Sequence, residues 1–295
     1  MHKSVLLQET IDGLLIKKGS IIVDCTLNGG GHSESVLKRY GKDVRVIGLD
    51  ADQSAIVRAN ERIGAYKNFT AICSNFRNLD KALSSEGISE VQGFIFDLGL
   101  SSNQLESSGR GFTFQKDEPL QMTFASNPST DAITAEIIVN EWAEESIEAI
   151  LTGFGEEALA KRIAKAIVEA RKLEKIKTTG QLREIIYHSV PVWYKKKKIH
   201  PATKTFQALR IAVNEEFEVL KEGLEKAWNH LSTGGRISVI SFHSIEDRIT
   251  KFWIKEKMKE GNAKVITKKP ITATKEELKE NPRARSAKLR IIEKI

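Results

Sequence analysis

From Asp24 to Leu37 the chain reads DCTLNGGGHSESVL, and nineteen residues after Gly31 stands Asp50, the last residue of VRVIGLD. An apolar run, Ile21 to Val23, leads into Gly29, Gly30 and Gly31 and then into a helix-compatible segment. That is how a parallel α/β sheet lets backbone N–H groups approach a nucleoside-containing ligand, with an acid at the end of the next strand to take the ribose hydroxyls. The glycines do not follow G-x-G-x-x-G. This favours S-adenosylmethionine over a dinucleotide, because a ligand without phosphates needs no tight pyrophosphate turn. A plain tight turn, with Asp50 as a helix cap, accounts for the same residues equally well.

The surrounding pattern extends the α/β reading. Strand-like runs at Ile21 to Thr26, Val44 to Asp50, Phe69 to Cys73 and Val91 to Asp97 alternate with helix-compatible segments at Ser33 to Tyr40, Gln53 to Ile63 and Asn78 to Ser85. Such alternation predicts a doubly wound, mostly parallel sheet. Beyond Asp97, residues 101–130 are rich in Ser, Gly, Pro and Asn without periodicity and read as a long ordered loop. From Asp131 to about Leu231 the chain reads as helical, with Leu159, Ile163, Ala166, Ile167 and Ala170 on one face. Strand character returns at Arg236 to Phe242, Lys264 to Thr267 and Lys288 to Glu293. The expected organisation is a discontinuous sheet domain, residues 1–105 and 207–295, carrying an inserted all-helical substrate-recognition domain, 106–206.

A hydrophobic content of 40% in 295 residues is ample for packed cores. The N-terminus lacks a long apolar segment and no window approaches eighteen apolar residues, so neither export nor membrane spanning is expected. Cys25 and Cys73 suit two reduced thiols better than a disulfide or zinc site, which suggests the cytoplasm. The net charge of +7 is clustered at Lys195–Lys198, at Lys268 and Lys269, and at Arg283, Arg285, Lys288 and Arg290. Clustering favours a polyanionic partner such as RNA, although a solvated lysine run has the same composition. Trp193 and Tyr194 precede the first cluster, and aromatic residues beside lysines suit stacking next to phosphates. His200, Pro201 and Lys204 are further candidate phosphate holders.

Ligands of doubly wound sheets sit beyond the carboxyl ends of the strands. Gly29–His32, Asp50, Phe76 and Asp97 all fall there. Phe76 is placed to lie against an adenine or to fill the core, and Asp97 to face the crevice or to cap a turn. ISFHSIEDR, Ile240 to Arg248, brings His243 to the same edge, where it serves as a proton carrier or a loop anchor. Nucleophile-elbow, P-loop and HExxH motifs are absent, which argues against the common hydrolase and NTPase classes.

Ten segments, HKSVLLQE, DCTLNGGGHS, SNFRNL, FDLGLSSNQL, RGFTF, DEPLQM, GEEALAKRIAKAI, HPATKTFQALRIAVNEE, ISFHSIEDR and NPRARSAKLR, occur in that order over nearly the whole chain. Together they resemble the bacterial small-subunit (16S) ribosomal RNA cytidine N4-methyltransferase family. The resemblance implies a class I methyltransferase (Rossmann-like) fold with a helical insertion and S-adenosylmethionine as donor. It also implies a cytidine of the decoding region as acceptor, in the RNA or in the assembled small subunit, and leaves a homodimer open. Cofactor contacts carry over to Gly29, Gly30, Gly31 and His32, to Asp50 at the ribose, to Phe76 beside the adenine, and to Asp97 and Gln104 near the methionine end. Asp97, Ser101, Ser102 and His243 are the candidate catalytic groups. The chain departs from the family where Asn28 stands for glycine and where Gln121 and Thr123 replace an acid and a base. A nicotinamide oxidoreductase shares the glycine loop but wants G-x-G-x-x-G. A ribosome-assembly factor without turnover is the other alternative, motivated by Gln121 and Thr123.

Overall fold

The computed structural model describes residues 4–295, so His2 and Lys3 of the HKSVLLQE segment lie outside the described residues. The chain divides into two compact units, one running to Gly99 and resuming at Phe217–Ile295, the other Leu100–Glu216.

In the first unit α1 (Leu7–Gly13) precedes β1 (Ile21–Asp24), α2 (Gly31–Tyr40), β2 (Arg45–Asp50), α3 (Gln53–Ile63), β3 (Phe69–Cys73), α4 (Leu79–Ser85) and β4 (Val91–Asp97). β1, β2 and β4 are nearly continuous apolar runs, the composition of strands covered on both faces. Val23, Ile47, Leu49, Phe94 and Phe96 are fully buried in one cluster, while Ile22, Val46 and Ile95 belong to another with Val36 and Leu37 of α2. α3 starts where its sequence says it must: the Asp52 carboxylate accepts the Ser54 N–H at 3.0 Å, an N-cap.

The second unit is helical: α5 (Ser102–Ser107), α6 (Ala135–Glu141), α7 (Glu144–Gly153), α8 (Ala160–Leu173), α9 (Thr179–Ser189), α10 (Val192–Lys195) and α11 (Thr203–Asn214). Its core draws on Phe112, Leu120, Met122 and Val139 together with Ile163, Ile167, Leu182 and Leu209. The segment expected to be loop throughout contains α5, closed by a capping box in which Ser101 Oγ accepts the Gln104 N–H and Gln104 Oε1 accepts the Ser101 N–H. Local side-chain bonding of this kind carries no periodic signal, which is why hydrophobic spacing passes over it. Leu100 and Leu105 pack on the helical core, so the units part at Gly99 and Leu100.

The chain then returns through α12 (Glu216–His230), β5 (Leu231–Ser241), α13 (Ser244–Lys259), β6 (Ala263–Val265), α14 (Lys275–Glu280) and β7 (Lys288–Lys294). The sheet order is β3-β2-β1-β4-β5-β7-β6. β1 to β5 run parallel to one another, and β7 runs antiparallel to both β5 and β6. Successive strands step outward from β1 to β3, and the chain then returns to place β4 on the other side of β1. The winding therefore reverses between β1 and β4, the switch point at which such sheets bind ligands. Among the described residues no helix is long and apolar enough to cross a membrane, and no group of three or more His, Cys, Asp or Glu could hold a metal ion.

Candidate functional site

Three acids end the three strands around that switch point; Asp24 and Asp50 are buried, and the Asp97 side chain is 12% exposed. Asp24 closes β1: its Oδ2 accepts the Ser33 hydroxyl at 2.8 Å and its Oδ1 accepts the Thr26 N–H at 3.3 Å. Burial nevertheless outweighs these bonds and raises its pKa to about 6. Asp50 closes β2 and accepts two backbone N–H groups at 2.8 Å, from Asn28 and Asp52; burial again prevails, to about 6. Asp97 closes β4, its N–H donating to Thr26 Oγ1. Burial lifts it to about 6 against the pull of His32, helped by the charges of Asp24 and Glu246. One of its oxygens, Oδ1, is buried with no hydrogen-bond partner. A buried acceptor left open in this way is expensive.

The glycine loop wraps the same strand ends. Asn28 at φ 50° and Gly30 at φ 72° are both left-handed, the conformation that turns the chain from β1 into α2. Asn tolerates it better than most residues, so Asn28 in place of glycine is a mild change. A Cβ at Gly29 would meet nothing within 4 Å, which leaves room beside that backbone, whereas a Cβ at Gly31 would collide with Ser4 Oγ. Buried His32 on α2 sets Nε2 3.2 Å from the Val5 carbonyl and Nδ1 3.8 Å from Asp97 Oδ2. A carbonyl only accepts, so Nε2 carries a proton and Nδ1 is the atom that faces the carboxylate.

Phe76 follows β3 at the head of a short 3-10 turn, where the Asn75 side chain accepts the Arg77 N–H. It is half-buried, edge-on to Phe96 at 5.4 Å. Its position depends on Gly223 of α12, since a Cβ there would lie 2.5 Å from the ring. Gly223 has no motif signal in the sequence and shows its role only through this contact. Asp24 likewise stands in the quoted motif but its role as third strand-end acid depends on packing.

His243 is the N-cap of α13. Its Nδ1 accepts the Glu246 N–H at 3.4 Å, while Glu246 Oε2 accepts the N–H groups of Phe242 and His243 at 2.9 and 3.3 Å. Gly29–His32, Asp50, Phe76, Asp97 and His243 thus all lie in the sheet unit. Ser101, Ser102 and Gln104 lie in the helical unit, where Ser101 and Gln104 form the α5 cap and Ser102 is its first helical residue.

Several sequence expectations are corrected in the helical unit and at the sheet edge. Phe112 of the RGFTF segment is buried against Phe124 at 5.9 Å with Arg110 over its ring, so it offers no face to a base. Tyr194 is also buried and donates its hydroxyl to the Glu157 carboxylate, so it offers no face to a base. Lys204 donates to the Glu156 carbonyl. Lys288 and Arg290, counted as RNA-facing charges, are paired with Asp247, which holds that carboxyl below its usual range despite burial. The Gln121–Thr123 segment is pinned by Asn214, which accepts the Phe124 N–H and donates to the Met122 carbonyl.

All of residues 1–295 match the model of the MraW methylase family. Over 309 aligned positions the chain is 44% identical to the ribosomal RNA small subunit methyltransferase H of Clostridium botulinum (strain Kyoto / Type A2), covering 100% of this chain and 99% of the relative. The protein of that name from strain 657 / Type Ba4 gives the same identity and coverage. A solved rRNA methylase from Streptococcus thermophilus aligns with 100% of this chain and 99% of its own at 12% identity and a TM-score of 0.48, a likeness too loose to bear on mechanism. Identity at this level over both full lengths, with the family model matched along the whole chain, settles kinship: the chain belongs to the MraW methylase family.

Proposed function

We propose that the chain transfers the methyl group of S-adenosylmethionine to the exocyclic N4 amine of a cytidine in the decoding region of small-subunit ribosomal RNA. The observation that carries this reading is Asp97, a strand-end carboxylate at the switch point with one buried oxygen unpartnered. The full-length relatives named for small-subunit ribosomal RNA support the acceptor class, and the ten matching segments support the cytidine. Asp50 takes the donor's ribose, Phe76 lies beside its adenine, and the Gly29–His32 backbone holds the methionine portion. In the cell these tasks belong to the cytoplasm, where ribosomal RNA is modified.

Donor chemistry supplies an activated methyl group, so the protein's work is orientation and charge. The cytosine amine is a weak nucleophile because its lone pair is delocalised into the ring. An acceptor on its N–H localises that pair, and Asp97 Oδ1 is our candidate, with Ser101 and Ser102 as neighbours in sequence. As the nitrogen–carbon bond forms and the carbon–sulfur bond breaks, positive charge appears on N4, and its proton passes to the carboxylate or to water. A pKa near 6 leaves Asp97 ionised at neutral pH yet basic enough to receive that proton. His32, held by the Val5 carbonyl, stands 3.8 Å from the other oxygen. His243 keeps the β5–α13 junction in place rather than moving protons.

Nucleoside mass spectrometry of small-subunit RNA from cells with and without the gene tests the reading. N4-methylcytidine should vanish on deletion and return with the wild-type chain but not with Asp97→Ala. A different nucleoside missing, or full rescue by Asp97→Ala, would overturn it.

A further inference from the structure

The helical unit shows water a set of apolar side chains that folding alone does not explain. Tyr187, Val192, Trp193 and Ile199 are 38, 66, 58 and 46% exposed, all within residues 187–199. Three of the rings form a layered arrangement: Phe114 stacks on His200 at 4.8 Å and 26°, and His200 on Tyr187 at 6.2 Å and 19°. His200 behaves here as a neutral aromatic. Its Nδ1 accepts the Ala202 N–H, and burial, with Arg183 next, lowers its pKa. The lysine run lies on these rings, with Lys195 Nζ 4.2 Å from the Tyr187 centroid and Lys197 Nζ 5.1 Å from that of Trp193. Among the described residues no carboxylate forms a salt bridge with Lys195, Lys196, Lys197 or Lys198. The face is held firmly from beneath by the buried Tyr194–Glu157 bond, which ties α10 to the turn before α8.

Flat exposed rings beside unneutralised ammonium groups complement a chain whose own flat rings alternate with anions. We propose that Tyr187 and Trp193 with Lys195–Lys198 form a landing surface for an unpaired stretch of RNA, His200 backing the Tyr187 ring, with bases stacking on the two exposed rings and phosphates drawing the lysines off them. The stretch must be unpaired, because stacking on a side chain needs a base released from its helix. This deepens the RNA-methylation reading and rests on it, and it replaces the expected Trp193–Tyr194 pair by Trp193 with Tyr187 and, behind it, His200, residues that come together only through folding.

The test uses the full chain as wild type, Trp193→Ala, Trp193→Phe and Lys195→Gln/Lys197→Gln. Binding of protein-free small-subunit RNA and of the assembled small subunit is measured across a salt series, methyl transfer at varied amounts of each, and S-adenosylmethionine affinity by calorimetry. Trp193→Ala should weaken RNA binding about ten- to a hundredfold and Trp193→Phe should restore most of it. The double lysine variant should lower the slope of log K against log salt by about 1.4, two phosphates at the single-strand value. Losses should fall on KM for RNA rather than on kcat, with donor affinity unchanged. Variants matching wild type in RNA affinity and salt slope would overturn the proposal, as would loss of binding to the assembled subunit alone, which would make the face a protein contact. Should the wild type methylate no RNA, the functional reading fails instead, and the RNA-binding arm still scores this surface.

Discussion

Asp97 is costly to keep. Its folded pKa of about 6 lies above the usual value, so the folded state holds its proton where the unfolded chain has lost it. The stability contributed by the protonated form is present below about pH 4 and is lost as pH rises to about 6, beyond which the penalty is constant; Asp24 and Asp50 act in the same window. A shift of about two units corresponds to roughly 2–3 kcal/mol. Asp97→Asn, neutral and of the same shape, should therefore melt higher than wild type at pH 7.5 in the absence of donor, and the difference should close near pH 4.5. Equal gaps at the two pH values, in thermal melts of both proteins, would remove the case for strain at this residue. The same charge makes activity fall as pH drops through about 6. Gly223 gives a second test at a distance from the chemistry. Gly223→Ala pushes a methyl group into the Phe76 ring, and calorimetry should show weaker S-adenosylmethionine binding, by about tenfold or more, with the helix itself intact.

At the scale of elements, α13 begins at a capping box, and capping explains His243 without catalysis. His243→Ala removes the acceptor for one helix N–H, a loss of about 0.5–2 kcal/mol, and should lower the melting temperature by a few degrees. The pH–rate profile of methyl transfer should keep its shape; the disappearance of one of its limbs would instead make His243 a proton carrier. Elements with strong periodicity or strong end signals were readable in advance: β3, β4 and α3 match the expected spans to the residue. Their apolar runs and cap are properties of consecutive residues. α5, six residues long, is too short for hydrophobic spacing to mark it, and its one signal, the Ser101-x-x-Gln104 spacing of the capping box, is passed over when the segment is read by periodicity alone. The site divides in the same way. Gly30, Asp50 and Asp97 stand at strand ends visible in sequence, whereas Gly223 under Phe76 and Tyr187 beside His200 depend on contacts between distant segments.

For the whole molecule, core and chemistry are distributed by unit. Every cluster around the sheet is built from residues before Gly99 or after Glu216, and the helical cluster from residues within 100–216. The helical cluster buries more than twenty apolar side chains, among them Ile138, Leu151, Ile163 and Leu182. A core of that kind is sufficient for a domain of about a hundred residues to fold alone. Leu100–Glu216 expressed by itself should therefore be helical by circular dichroism, melt cooperatively, and give dispersed NMR spectra. S-adenosylmethionine should leave its melting temperature unchanged, because Gly30, Asp50, Phe76 and Asp97 are all in the other unit. The full chain should gain about 2.7 kcal/mol at a donor concentration one hundred times Kd. An unfolded fragment would show that the helical cluster needs the sheet to form, and a fragment stabilised by the donor would move the principal binding residues out of the glycine-loop unit.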